Sequence, residues 1–469
     1  MFKRLRQFRG VEFQLLLTVL LFFAAGYLLV IVATQQREFV ATVPGVLSVL
    51  WPSALPLLLF IAVSLGLSVR SPDADQIMLP LVALLAGMSL MLTARLEPSL
   101  HVLYQCVAAD GTRYSCYDGI DEKQSLWVTL GVLVLAVILF APWDRLLIRG
   151  LRLSLLNFLD HYRYIWLALG LLLIGATFIF GVDPNGSGVN LWFNFGLFLF
   201  QPSELLKIIL VIFMASYLNE HREVVTSGYR LGPVTLPPLP YLVPLVGMWG
   251  LAMATIIFQR DLGAALLLFS VFLAMLYAAT GRGWYVLIGL LAFALGAYLL
   301  YQVLPIVALR VQVWLDPWAT ARGSGYQIVQ AIYALASGGI FGQGLGMGVP
   351  AIVPAIHTDF IFTAIGEELG LAGTLAVLIA YALLVFRGLH IALTIPGRFR
   401  GFEQLLAFGL TSIIAVQTLI ILGGNLRLIP LTGITLPFVS YGGSSVLVNF
   451  LIVGLLMRIS ATAWVGRRG

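Results

Sequence analysis

The chain has 469 residues, 60% hydrophobic and only 10% charged, where soluble domains average about 25% charged. No soluble core can hide so much apolar surface, so this is the composition of a membrane protein. The net charge of +6 sits in small Arg clusters between apolar runs, not in a basic stripe interleaved with aromatics; that pattern sets membrane orientation, and no nucleic-acid partner is expected.

The first ten residues, MFKRLRQFRG, are basic and precede an apolar run from Phe13. That run is about 22 residues long and no small-residue cleavage site follows, so it reads as a retained first span. A helix needs about 20 mostly apolar residues to cross the hydrocarbon. Twelve segments qualify: 13–34, 48–69, 76–94, 125–141, 163–182, 203–218, 240–258, 262–280, 284–303, 360–386, 404–422 and 444–464. The pair 240–258 and 262–280 is separated only by QRD. The fold class is therefore all-α, a polytopic membrane bundle of about twelve helices.

With the N-terminus in the cytoplasm, eighteen Lys and Arg fall at cytoplasmic ends, among them Arg4, Arg145, Arg149, Arg152, Arg398, Arg400 and Arg468. Eight fall outside: Arg37, Arg95, Arg113, Lys123, Arg260, Arg310, Arg322 and Arg427. The excess predicts cytoplasmic N- and C-termini. Both cysteines, Cys106 and Cys116, then share one outside loop, where a stapling disulfide is expected because that compartment is oxidising. The longest stretch without a span, 304–359, is an outside loop rich in apolar and aromatic residues. Within it GYQIVQAIYALASGG has helical spacing at Ile328, Ile332 and Leu335, which predicts an interfacial helix over 325–337.

Ionisable groups inside spans are costly and mark functional candidates. In FQPSELLKIIL, Pro202 suits a helix start, and Glu204 and Lys207 lie three apart on one face. They are either a self-neutralising structural pair or the lining of a polar cavity. In FQRDLGAAL, Asp261 is placed to cap the following helix. The stretch HTDFIFTAIGEELG puts His357 and Asp359 at the outer boundary of a span, with Thr358 and Asp359 as possible caps. Continued as helix, Glu367 lies roughly 12 Å deeper and about 80° round from Asp359, and Glu368 about 180° round. Asp359 is therefore expected to act apart from the glutamates, which brace neighbouring helices. The glycines of GGIFGQGLGMG have neither a preceding strand nor a following Lys-Ser/Thr, so they read as a tight loop and not a nucleotide site. LPFVSYGGSS reads as a bent entry into the last span. No Cys/His zinc cluster and no Ser-His-Asp arrangement is evident.

The runs QPSELLK, QRDLGAA, GYQIVQAIYALASGGIFGQGLG, HTDFIFTAIGEELGLAG and LIPLTGITLPFVSYGGSS follow one another in this chain. In that order they resemble the SEDS family (shape, elongation, division and sporulation), represented by FtsW, RodA and SpoVE. The resemblance covers roughly 76–464. It implies a ten-helix core over 76–469, preceded by a basic segment and two extra spans over 1–75. It also implies a polytopic glycosyltransferase of the bacterial plasma membrane that polymerises lipid II into glycan strands beside a class B penicillin-binding protein. Asp359 matches the proposed catalytic aspartate; Glu204, Lys207 and Asp261 match residues of functional weight, and His357 and Gln327 are counted with them as cavity residues. The family's QPDLG is QRDLG here, and its DP-x-x-DP is DPWATA, which keeps Asp316 but has Thr320 in place of the second acid.

Such a reaction needs a base for the attacking hydroxyl, for which Asp359 is the expected group, and inversion of an α-linked donor to a β-linked strand fits one base. Positive charge for the departing undecaprenyl pyrophosphate is sought among Arg260, Arg310, Arg322 and Arg427. Mg²⁺ or Mn²⁺ is an expected cofactor, with unknown ligands; no organic cofactor is expected. Two rivals are a lipid II flippase or other transporter, which favours mid-membrane sites and repeat symmetry, and a non-catalytic division or elongation scaffold.

Overall fold

The computed structural model describes residues 9–34, 43–107, 113–143, 154–183, 188–196, 198–222, 229–231, 234–236 and 239–465. Of the charges used for orientation, Arg4, Arg37, Arg145, Arg149, Arg152 and Arg468 lie outside the described residues. The helices are α1 (Gly10–Thr34), α2 (Val43–Arg70), α3 (Met78–Leu103), α4 (Ile120–Phe140), α5 (Leu155–His161), α6 (Arg163–Phe180), α7 (Pro202–Glu220), α8 (Leu239–Phe258), α9 (Leu262–Thr280), α10 (Gly283–Val303), α11 (Pro305–Leu315), α12 (Tyr326–Gly338), α13 (Ile361–Thr394), α14 (Gly397–Asn425) and α15 (Gly443–Val465). The strands among the described residues form only short two-stranded hairpins, so the chain is all-α. Among the described residues, eleven helices are long and apolar enough to cross a membrane. The twelfth expected span falls on α8, whose described apolar part, Val243–Phe258, is shorter than the rest.

Helix ends follow local chemistry. Pro202 opens α7, where its missing N–H costs nothing. Asp261 caps α9 by accepting from Ala264 N at 3.0 Å. Gly281 ends α9 in the left-handed conformation, φ 68. Asp75 begins α3 by accepting from Ile77 N at 2.9 Å and Met78 N at 3.0 Å.

The chain forms two compact units, residues 1–140, 309–387 and 417–468 in the first, 141–308 and 388–416 in the second. Within the first, helices meet through small residues that let backbones approach, as membrane packing favours. A Cβ on Gly131 of α4 would lie 2.2 Å from the Phe450 ring of α15, and one on Gly87 of α3 would lie 2.2 Å from the Phe23 ring of α1. A buried polar cluster ties α1 to the same unit. Arg9, 1% exposed, pairs with Glu12 and donates to the carbonyls of Ala74 at 2.8 Å and Asp75 at 2.6 Å. The Asp75 carboxylate also accepts from Arg387 Nε at 2.8 Å. In the second unit α7 is almost wholly buried, with Gly170 of α6 against Leu206 and Ile209.

Candidate active site

Asp359 stands in a turn two residues before α13 begins. Its backbone N–H donates to Ala355 O at 3.1 Å, and Ala355 itself is left-handed at φ 54.

 The helical angles expected between Asp359 and the glutamates therefore do not apply, because Asp359 belongs to the turn and not to the helix. Three consecutive carbonyls of the turn are held from other segments. His357 O accepts from Tyr441 N at 2.8 Å, Thr358 O from the Ser440 hydroxyl, and Asp359 O from Asn425 Nδ2 at 2.8 Å. Ser440 and Tyr441 belong to the bent entry into α15, so FVSYGGSS grips HTD directly.

The Asp359 carboxyl faces the connection between α14 and α15, where a Cβ on Gly433 would lie 3.8 Å from Oδ2. Loss of water raises its pKa to about 6, while the Thr358 side chain and the Arg310 charge pull in the opposite direction. Arg310, on α11, donates to Thr432 O at 3.3 Å in the same connection. His357 is 5% exposed, and burial lowers its pKa to about 4, so the ring is neutral near pH 7. That ring lies 4.7 Å from Tyr117 and 5.6 Å from Tyr441. Gln327 of α12 donates to Pro354 O at 2.9 Å, anchoring the approach to the turn. The buried face of α12 is Ile328, Val329, Ala331, Ala334 and Gly338, with Ile332 and Leu335 only half-buried.

The glutamates hold a loop as well as a neighbouring helix. Glu367 accepts from Val349 N at 2.7 Å and Glu368 from Gly346 N at 3.1 Å, so both hold the glycine-rich loop. Glu368 reaches a neighbouring helix as well, pairing with Arg95 of α3 at 3.0 Å. Arg95 in turn donates to Gly348 O at 2.9 Å. α13 is broken at Gly370 (φ 66, ψ −163), and the loop supplies the hydrogen bonds the break frees. Gln343 N and Gly344 N donate to the carbonyls of Glu367 and Glu368 at 2.9 and 3.0 Å; Leu371 N and Ala372 N donate to those of Gly339 and Ile340 at 3.0 Å each.

Other expected residues gather in the second unit. Lys207, 2% exposed, pairs with Glu204 at 2.7 Å, and the Asp261 carboxylate that caps α9 also accepts from Gln201 Nε2 at 3.3 Å. Arg260 is exposed and borders a cleft with Phe178, Asn190 and Phe258. Arg427 serves α11 instead, donating from Nε to Trp314 O at 2.7 Å and from Nη2 to Leu315 O at 2.5 Å. Arg322 is exposed in the turn before α12. Cys106 and Cys116 form a disulfide.

The family model described as cell cycle protein, FtsW/RodA/SpoVE, matches residues 114–464. This chain belongs to that family. Peptidoglycan glycosyltransferase RodA of Mycobacterium tuberculosis is 39% identical over 405 residues, spanning 86% of this chain and 81% of that protein. Stage V sporulation protein E of Bacillus subtilis is 36% identical over 291 residues, spanning 61% of this chain and 76% of that protein. Among solved structures, a chain from work described as the structural coordination of polymerization and crosslinking by a peptidoglycan synthase complex superposes with a TM-score of 0.63 at 25% identity, covering 83% of this chain and 98% of that one. RodA of Thermus thermophilus shares the fold at a TM-score of 0.54 and 24% identity, over 82% of this chain and 96% of that one.

One departure from the SEDS pattern now has a local explanation. Arg260, where the family has Pro, takes φ 56, which a proline ring locked near −65° cannot reach. Asp316 accepts from Trp318 N at 3.1 Å and Ala319 N at 3.2 Å, so it caps the turn that follows. Sequence reasoning gave Arg95 no role beyond loop charge, and did not single out Asn425, Ser440 or Tyr117. Asn425 carried a usable signal, a polar side chain at the end of an apolar span.

Proposed function

We propose that this chain polymerises peptidoglycan glycan strands from lipid II at the outer face of the bacterial plasma membrane, in cell elongation or division. The observation that carries the reading is Asp359, whose carboxyl stands in a turn held at three successive carbonyls with Arg310 close enough to influence its charge. The relatives named as peptidoglycan glycosyltransferases support it.

In the reaction, a sugar hydroxyl of the acceptor attacks the anomeric carbon of the donor from the face opposite the leaving group. A C–O bond forms there as the bond to the pyrophosphate oxygen breaks, and that oxygen keeps the electron pair, so the configuration inverts. Asp359 takes the hydroxyl proton as bonding develops, and a pKa near 6 leaves it ionised at neutral pH. Arg310 stands beside that carboxylate, where it can meet charge on the departing pyrophosphate. Glu204, Lys207 and Asp261 are assigned to substrate binding by their match to the family's motifs. Among the described residues no three His, Cys, Asp or Glu side chains group as a metal site. A divalent cation would add positive charge for the departing pyrophosphate, and no step here runs through it.

A class B penicillin-binding protein is the proposed partner, a reading supported by the likeness to a chain of a peptidoglycan synthase complex. In this reading both termini lie in the cytoplasm. The Cys106–Cys116 disulfide supports that orientation, since it puts the α3–α4 connection on the oxidising side.

The test is incubation of the purified protein, with its partner, with lipid II and a divalent cation, and separation of glycan strands on a gel. Strands from the wild type and none from Asp359→Ala are expected. Equal strands from both would remove Asp359 as the base; none from either folded protein would favour flipping or scaffolding.

A further inference from the structure

The disulfide does more than close its own loop. Cys116 N donates to Tyr104 O at 3.1 Å, and residues 105–107 pair antiparallel with 113–115, so Tyr104 and Tyr117 flank the stapled hairpin. Their rings meet edge to face at 5.6 Å. From there each grips the segment leading into the catalytic turn. The Tyr104 hydroxyl donates to Ala351 O at 3.3 Å, and the Tyr117 ring meets His357 edge to face at 4.7 Å. Glu97 of α3 fixes the chain just after the hairpin by accepting from Gly119 N at 2.8 Å. His357 has no other anchor for its ring on this side: Nδ1 is buried and has no hydrogen-bond partner among the described residues. The ring is therefore placed by aromatic contacts alone, and two residues later comes Asp359.

We propose that the disulfide-closed strand pair 105–107 and 113–115 positions the catalytic turn, with Tyr117 acting as a positioning residue through His357. This rests on Asp359 being the base of glycan polymerisation. The physical demand is orientation: displacement of a reacting group by about 1 Å can cost on the order of 10²-fold in rate, and a turn whose ring contact is loosened loses alignment more than substrate affinity. Nothing in the contact requires the Tyr117 hydroxyl, so a phenylalanine ring serves equally.

Lipid II polymerisation is measured for the wild type, Tyr117→Ala, Tyr117→Phe, Cys106→Ser with Cys116→Ser, and the combination of Tyr117→Ala with both serines. The expected result is a fall in kcat of about tenfold for Tyr117→Ala and for the double serine variant, with KM unchanged. Tyr117→Phe restores the wild-type rate, and the combination is no slower than the double serine variant because both act on one contact. Wild-type kcat in Tyr117→Ala, or multiplied losses in the combination, would overturn the proposal. Tyr117→Ala keeps the disulfide, so the comparison stands even where the serine variant fails to fold.

Amide hydrogen exchange over residues 353–360 provides an arm independent of activity. Exchange on the order of tenfold faster in Tyr117→Ala than in the wild type supports the positioning role; equal exchange overturns it. A wild type that makes no strands defeats the polymerase reading, and the exchange result then still decides whether the hairpin orders the turn.

Discussion

In the proposed mechanism Asp359 works as a base only when ionised. With its pKa raised to about 6 by loss of water, the rate should fall as pH drops through about 6, approaching tenfold per unit below it, and stay level above. A rate-pH profile on lipid II checks this; an acid limb near the usual aspartate value of about 4 would refute the desolvation argument. The Arg310 charge lowers that pKa, so Arg310→Ala should move the limb to higher pH as well as slow turnover. Asp359→Asn keeps the shape and removes the base, which should cost about 10²–10⁴-fold. Arg95 poses a different question at the same scale. Its partner Glu368 is 1% exposed and Arg95 itself 6%, so Arg95→Ala strands a buried carboxylate. A loss of about 3–5 kcal/mol is expected, read as a large drop in melting temperature in detergent; a change near zero would mean that water or another group takes over the pairing. Asp359 was legible from its position at the mouth of an apolar run. Arg95 was not, because its partner lies far along the chain and no local spacing announces it.

At the scale of elements, α13 and the glycine-rich loop are one construction. Gly370 has backbone angles that only glycine adopts comfortably, and a Cβ there would lie 2.3 Å from Gly342 N. Gly370→Ala should therefore cost of order 1–3 kcal/mol in backbone strain, with the clash added. A thermal melt measures it, and a variant as stable as the wild type would show that the break in α13 is dispensable. The sequence pointed to a tight turn in GGIFGQGLGMG, and the loop does turn tightly, with positive φ at Gly339, Gly342, Gly344 and Gly346. Its larger task was hidden. Inside a membrane every backbone polar group needs a partner, and the loop supplies partners to a helix broken some thirty residues further on. The α9 cap by Asp261 was legible because capping is local, an oxygen and an N–H three residues apart.

For the whole molecule, the two first helices belong to the packing of the first unit. Phe23 is fully buried against Gly87, and Arg9 holds the carbonyls that lead into α3. Deleting residues 1–70 should expose α3 and lower the melting temperature of what remains; an unchanged melting temperature would make the two spans an appendage. Hydropathy alone was enough to read an all-α membrane bundle and the places of its spans, because crossing hydrocarbon imposes length and apolarity on each helix separately. Spacing of three residues was enough to pair Glu204 with Lys207, since one helical turn brings them together. The tertiary structure alone decided what holds the HTD turn, which arginine meets which carboxylate, and what the disulfide hairpin touches. Those contacts join residues as far as 312 positions apart, as from Asp75 to Arg387, and only the packing of helices against one another brings them within hydrogen-bonding distance.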